Sequence, residues 1–333
     1  MSTTQKGIQQ LHMQLHLRDA DALVDAFQGW EGSIVQVSPG SFRGSLALAG
    51  GPNLRAFSAV TNQALLTRGD ADCDCVTFIP VSRENESTRW RSRYLKPGSL
   101  LIKGSEIGYH NQTEPNSRIT GLVLRKKLVS KAVAILAPDR AEQDWTTWSA
   151  LQPDPHATLY LERRINSLLN PKESQGRSAF THDLEAEIIR ILCNTLVTAN
   201  GDPFKVRPHN RAKLVSQATS YMHDRLTKPL TAMDLCSAFG VSDRLLRVAF
   251  NEAYGMGPLS YFRVMRLNAV RDALRAKRGR DETVASTLVA LGVTRPSAFA
   301  GEYSRHFGEL PSVTLGVRGW NGVQSMTREM AKL

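Results

Sequence analysis

Cysteine is scarce, with four residues in a chain of 333. That is too few for a disulfide framework at this length and suits a reducing compartment. No stretch of about 18 apolar residues occurs, which excludes a transmembrane helix. The first residues, MSTTQKGIQQLHMQLHLRD, have no apolar centre and no small-residue cleavage site, so they do not read as a signal peptide. The chain is therefore read as cytoplasmic. No Gly-rich phosphate loop of Walker type is present, and no Ser/His/Asp set stands out. His12 and His16 lie four apart, but Met13 occupies the place where a zinc protease needs Glu. A solvated face is the default reading of that pair. Neither a catalytic residue nor a cofactor nor a metal site is expected.

What the chain does have is positive charge, +11 at neutral pH, and it is unevenly placed. Residues 1–204 hold 22 basic and 21 acidic residues, and residues 205–333 hold 20 basic and 10 acidic, so +10 of the excess lies in the second segment. The length allows about two domains. A basic unit joined to a near-neutral one points to nucleic acid, with a solubilising basic surface as the alternative.

The first half changes texture along its length. Leu17–Trp30 reads as a short helix, with Ala22, Leu23, Ala26 and Phe27 on one face. Short apolar runs follow at Ser33–Ser38, Ser45–Leu48, Leu54–Val60, Cys75–Pro80, Ser99–Lys103 and Ile119–Val123. Turn residues such as Gly50–Asn53, Arg68–Asp70 and Lys96–Gly98 separate them. Several short strands at close spacing suggest a sandwich or barrel. Helical spacing returns from Arg125, through Leu128, Ala132 and Ile135, to Pro138, and again over Leu159–Leu169 and His182–Ala199. The stripe Leu184, Ile188, Leu192, Leu196 is either a dimer helix or a face packed on the β domain. Asn200–Asn210 contains Gly, two Pro and no periodicity, and reads as a linker. From Arg211 the spacing predicts helices at 211–226, 232–239, 243–253, 259–276, 284–291 and 295–307, and a short one after Pro311.

Two segments of the basic half share a layout. Thr231 to Ser242 and Thr283 to Thr294 each begin with a Thr able to cap a helix and run about two turns to a Gly. Each then places Val and a second capping residue, Ser242 or Thr294, before the next helix. This is the grammar of a helix-turn-helix, repeated 52 residues apart at Gly240 and Gly292. In the second helix of the first unit, Leu246, Ala249, Phe250 and Ala253 are spaced to bury. Arg244, Arg247, Val248 and Asn251 fall on the opposite face. Arg can bond guanine bidentately and Asn can bond adenine. In the second unit Phe299, Tyr303 and Phe307 bury, opposite the small face of Ser297, Ala300, Gly301 and Ser304. Arg295 and Arg305 flank that face as phosphate contacts. The helix between the units would place both reading helices in successive major grooves, roughly 34 Å apart.

Residues 211–318 resemble the DNA-binding domain of the AraC/XylS family of bacterial transcription regulators. The matching segments are Phe239–Phe250, Gly255–Leu274 and Phe299–Leu315. The resemblance carries the family's base-reading positions to Arg244, Arg247 and Val248, and to Ser297, Ala298 and Gly301. Val293 departs from the Phe usual after Gly292, and Gly301 from the long polar side chain of some members. Gly29-Trp30 and Gln36–Gly44 (QVSPGSFRG) resemble the sensor domain of one subgroup, a cupin-like β fold followed by helices. The fold this implies is α+β: a cupin-like barrel or sandwich with flanking helices over 1–199, a linker at 200–210, an all-α domain with two helix-turn-helix units over 211–318, and a tail at 319–333. The function it implies is transcription regulation, with activation commoner than repression. Its partners would be double-stranded promoter DNA, RNA polymerase, a small-molecule effector and a homodimer mate.

Two features stand outside this reading. Cys73 and Cys75 form a CxC in the acidic stretch Asp70–Cys75, which raises rather than lowers thiolate pKa. A Cys-dependent or cupin-type enzyme fused to a DNA-binding domain is the alternative those residues keep open. The absence of any His-x-His counts against the cupin-type version. Arg83, Arg89, Arg91 and Arg93 around Trp90 read as an exposed strand face, with an anion-binding pocket as the alternative.

Overall fold

The computed structural model describes residues 11–26, 31–51, 53–70, 74–81, 89–90, 93–103, 109–136, 138, 150–170, 182–197, 210–277 and 283–316. In chain order the first part runs β1 (Leu11–Leu17), α1 (Asp21–Ala26), β2 (Glu31–Gln36), β3 (Gly44–Gly50), β4 (Leu54–Thr61), β5 (Leu65–Asp70) and β6 (Cys75–Pro80). It continues with β7 (Arg89–Trp90), β8 (Arg93–Tyr94), β9 (Leu100–Lys103), β10 (Tyr109–Gln112), β11 (Ser117–Arg125), α2 (Lys126–Leu136), β12 (Ala150–Leu151), α3 (Pro155–Leu169) and α4 (His182–Val197).

These strands make two antiparallel sheets, a larger one in the order β1-β3-β4-β11-β6-β9-β12 and a smaller one in the order β2-β5-β10-β7-β8. Among the described residues they do not close into one barrel. The period of two along each strand sorts side chains onto the two faces of the larger sheet. Along β9, Leu100 and Ile102 join the core under α2, α3 and α4, while Leu101 joins the core on the other face with Leu65 of β5 and Leu23 of α1. Burial on both faces explains why this strand reads as an unbroken apolar run.

The sequence reading erred at the start of the chain. Leu11–Leu17 is a strand paired with β3, so His12 and His16 stand on a strand, both exposed; of the expected helix Leu17–Trp30, Asp21–Ala26 is helical among the described residues, and residues 27–30 lie outside them. Leu11, Met13, Leu15 and Leu17 alternate, a strand signal that outweighs the helical spacing of the two histidines. Arg68–Asp70, expected as a turn, is the end of β5 and pairs with both β2 and β10. The stripe on α4 is taken by the chain's own core. Ile188, Leu192 and Leu196 are buried against the larger sheet, so packing on the β layer, not a dimer seam, accounts for them. The Leu184 side chain, Cys73, Arg83, Arg91 and residues 201–209 and 317–333 lie outside the described residues.

The second part is helical: α5 (Asn210–His223), α6 (Ala232–Phe239), α7 (Asp243–Tyr254), α8 (Pro258–Ala276), α9 (Val284–Ala290), α10 (Pro296–Phe307) and α11 (Pro311–Gly316). α8 is 19 residues long, about 28 Å at 1.5 Å per residue. Its first half packs with α5–α7, through Tyr261, Phe262 and Met265. Its second half packs with α9–α11, through Leu267, Val270 and Leu274. One helix is thus shared between two small cores. The first of these cores also takes Val37, Ala64 and Leu66 from the β layer, which fastens the two parts of the chain together.

Candidate nucleic-acid interface

The first unit is built as its residues dictate. Thr231 Oγ1 accepts from the Asp234 amide at 3.2 Å, and the Asp234 carboxylate accepts from the Thr231 amide at 2.8 Å, a reciprocal cap that starts α6. The Thr231 bonds hold the Asp234 carboxyl below its usual range. Gly240 ends α6 with φ 62°, in the left-handed region that a side chain disfavours. Ser242 Oγ then accepts from the Leu245 amide at 3.3 Å and starts α7. The second unit repeats this up to its turn. Thr283 Oγ1 accepts from the Ser286 amide at 3.0 Å, and Gly292 has φ 66°.

The repeat then breaks. The residue flanking α10 is Arg295, not the expected Thr294, and it makes no side-chain cap. Pro296 at the first helical position supplies the reason. It needs no N–H partner, its ring fixes φ, and it keeps the preceding residue out of the helix.

The two glycines of the turns differ in their surroundings. A Cβ at Gly240 would meet nothing within 4 Å, whereas one at Gly292 would lie 1.8 Å from the Thr227 carbonyl oxygen. The chain after α5 therefore rests on the turn of the second unit. Arg266 of α8 donates to the Gly292 carbonyl at 3.1 Å from the other side. Together with α8 these contacts fix one unit against the other.

On α7 the inward residues Leu246, Ala249, Phe250 and Ala253 are buried, and Arg244, Arg247, Val248 and Asn251 are exposed on the outer face. Arg247 Nε donates to Asp243 Oδ2 at 2.7 Å, one helical turn back. On α10 Tyr303 and Phe307 are buried and Phe299 is half-buried. Arg295, Ser297, Ala298, Gly301 and Arg305 are exposed, and Ser304 and Ala300 are half-buried. A Cβ at Gly301 would meet nothing within 4 Å, so packing does not require glycine there. One face thus carries two Arg and an Asn, and the other is small and bare.

Sequence reasoning missed the contacts behind these helices. Gln36, beyond the turn of any predicted helix, reaches α8 and α10. Its amide donates to Asn268 Oδ1 at 3.3 Å, and its carbonyl accepts from Asn268 Nδ2 at 3.1 Å and from the His306 ring at 2.9 Å. Asp19 pairs with Arg271 at 3.4 Å and with Arg275 at 2.6 Å, and Arg275 also meets Asp21. Burial opposes the Asp19 charge, but Arg271 and Arg275 outweigh it and hold the carboxyl below its usual range. The one legible trace of this contact was the QVSPGSFRG segment, singled out only for its resemblance.

Cys193 is buried, which pushes its thiol up to about 11, away from nucleophile range. Among the described residues no group of three or more His, Cys, Asp or Glu could hold a metal ion. No described helix is long and apolar enough to cross a membrane.

Comparison with known proteins agrees with the geometry of the helical part. A family model described as a helix-turn-helix domain matches residues 235–316. The regulatory protein HrpB of Ralstonia nicotianae is 33% identical over 86 residues, 26% of this chain and 18% of that protein. A probable thc operon regulatory protein of Rhodococcus erythropolis is 30% identical over 102 residues, 31% of each chain. The chain thus spans less than a third of the length of either relative. The crystal structure of a probable AraC family transcriptional regulator from Rhodopseudomonas palustris is 28% identical, covers 31% of this chain and 94% of its own, and superposes with a TM-score of 0.29. Residues 235–316 are thus similar to the helix-turn-helix domain of transcription regulators.

Proposed function

We propose that the protein is a sequence-specific DNA-binding transcription regulator, an activator, controlled by a small-molecule effector. The observation that carries this reading is the pair of capped helix-turn-helix units on one shared helix, each with the outer face of its second helix exposed. In this reading Arg244, Arg247, Val248 and Asn251 read base edges of one half-site. Ser297, Ala298, Gly301 and Ser304 approach the second half closely and discriminate little, while Arg295 and Arg305 hold phosphate. Residues 211–318 form the DNA-binding domain. Residues 1–199 form a cupin-like sensor domain, joined to it through 200–210, with 319–333 as a tail. RNA polymerase is the partner at the promoter, and the protein works in the cytoplasm without catalysing a reaction. A homodimer would use a surface other than the buried stripe on α4.

Capture of genomic fragments on the purified full chain tests this reading. Enrichment of a small set of intergenic fragments is the expected result, with affinity falling steeply as salt rises because phosphate contacts release counterions. Capture that is absent, or insensitive to salt, would overturn it. The genes beside the captured fragments then indicate the effector's chemistry.

A further inference from the structure

Both helices assigned to base reading end against the smaller sheet. Gln112, the last residue of β10, donates its side-chain Nε2 to the carbonyl of Tyr254, the last residue of α7, at 3.2 Å. Gln36, the last residue of β2, donates its side-chain Nε2 to the carbonyl of His306, in the last turn of α10, at 2.9 Å. The backbone amide of Gly40 donates to that same carbonyl at 2.9 Å. The last carbonyls of a helix lack intrahelical partners and carry its negative end, so amide donors suit them. Both glutamine side chains are buried, at 3% and 9% exposure.

The two glutamines sit one strand apart on either side of β5, opposite Leu65 and Leu66. Gln36 is itself held: the two N–H groups of its side-chain Nε2 are shared among the His306, Ser38 and Gly40 carbonyls, the last two at 2.9 and 2.7 Å, and Ser38 Oγ donates to Gln63 at 2.5 Å. Gln112 Oε1 is buried without a partner, so its hold rests on the Nε2 bond alone. β2 is an edge strand, and Asn268 of α8 pairs with its free edge at the Gln36 amide and carbonyl.

We infer that the smaller sheet is a third part of the reading head: Gln36 and Gln112 act as positioning residues that grip the C-terminal ends of α10 and α7 and so fix the spacing of DNA half-sites the protein accepts. This rests on the DNA-binding reading above. α8 and the contacts of Thr227 and Arg266 at Gly292 join the two units to each other, and the sheet adds a tie at the C-terminal end of each reading helix. A shift of β2 against β10 would move both helices at once.

The test uses the full chain and a duplex selected by it from a random-sequence pool. Affinity is measured for that duplex and for the same duplex with two base pairs inserted between the halves, a rotation of about 70°. Wild type should lose tenfold or more on insertion, since with the first unit seated the close approach of α10 and the phosphate contacts of Arg295 and Arg305 no longer align with the groove. Gln36→Ala/Gln112→Ala should lose less than about threefold on insertion, while keeping base preference in the half read by Arg244 and Arg247. Gly308→Ala is the second variant. A Cβ there would lie 1.9 Å from Ser41 Oγ and 2.9 Å from the Ser41 amide nitrogen, at a φ of 72°, so the end of α10 has to move off the segment that follows β2. This variant should show the same tolerance without touching either core. A wild-type penalty retained in both variants would overturn the clamp and leave DNA binding intact. No duplex selected by wild type would overturn both.

Discussion

Replacing Arg247 with Ala separates base reading from mere charge. In the free protein Arg247 is tied to Asp243 at 2.7 Å, with both side chains largely exposed. An exposed pair one turn apart on a helix is worth about 0.3–0.5 kcal/mol. A bidentate contact to guanine discriminates by about 1–3 kcal/mol. The guanine contact therefore wins, and Arg247 leaves Asp243 on binding. The variant does not meet that small cost, so the net loss should be about 0.5–2.7 kcal/mol, or roughly twofold to a hundredfold in affinity. The loss should fall on one base pair of the selected site, measured by fluorescence anisotropy across single-base variants. Thermal stability should move by less than about 0.5 kcal/mol, because nothing buried is removed. A uniform loss across all site variants, with a salt slope shallower by about one, would place Arg247 on phosphate and refute its base-reading role.

The turn glycines should respond unequally. Gly240→Ala meets open space and should cost about 1–2 kcal/mol for the left-handed backbone alone. Gly292→Ala adds the clash with the Thr227 carbonyl and should cost roughly 3 kcal/mol or more in denaturant melts; equal losses would contradict the inter-unit contact. Gly301→Ala should stabilise the protein by about 0.5–1 kcal/mol, since glycine inside a helix is costly and no neighbour crowds the site. The same change should weaken DNA binding, and unaltered affinity would remove Gly301 from the interface. Burial pushes the His306 imidazole below its ordinary 6.5, with Arg271 acting the same way against the Gln36 carbonyl. The unfolded chain therefore takes up a proton near pH 6.5 that the folded chain refuses, so this group's share of stability is full above that pH and falls away below it. His306→Gln should flatten that part of the stability curve, and an unchanged slope would contradict the neutral, buried ring.

The helical part was legible almost residue by residue because its signals are local. Thr231, Gly240 and Ser242 act on neighbours three or four residues away, and the inward stripe of α7 is a period that one segment carries complete. Only Thr294 misled, because Pro296 decides the start of α10 and overrides a good capping residue beside it. The β layer was less legible. β5 and β10 were missed because Arg68–Asp70 and Tyr109–Gln112 are polar, and their pairing is set by each other rather than by composition. The histidines of β1 offered a helical spacing that the alternating leucines overruled. The contacts of Gln36 with Asn268 and His306 span 232 and 270 residues. No periodicity announces a pair of that separation, and a buried Gln reads from sequence like any surface amide.

The central claim is that one chain carries two reading helices aimed at one side of a duplex. Hydroxyl-radical footprinting of the full chain on its selected duplex tests this most directly. Two protected patches, without two-fold symmetry, centred about one helical turn apart on the same face, are the predicted result, with the base preference concentrated in the patch bound by Arg244 and Arg247. A single patch, a two-fold symmetric pattern, or protection on opposite faces would contradict it.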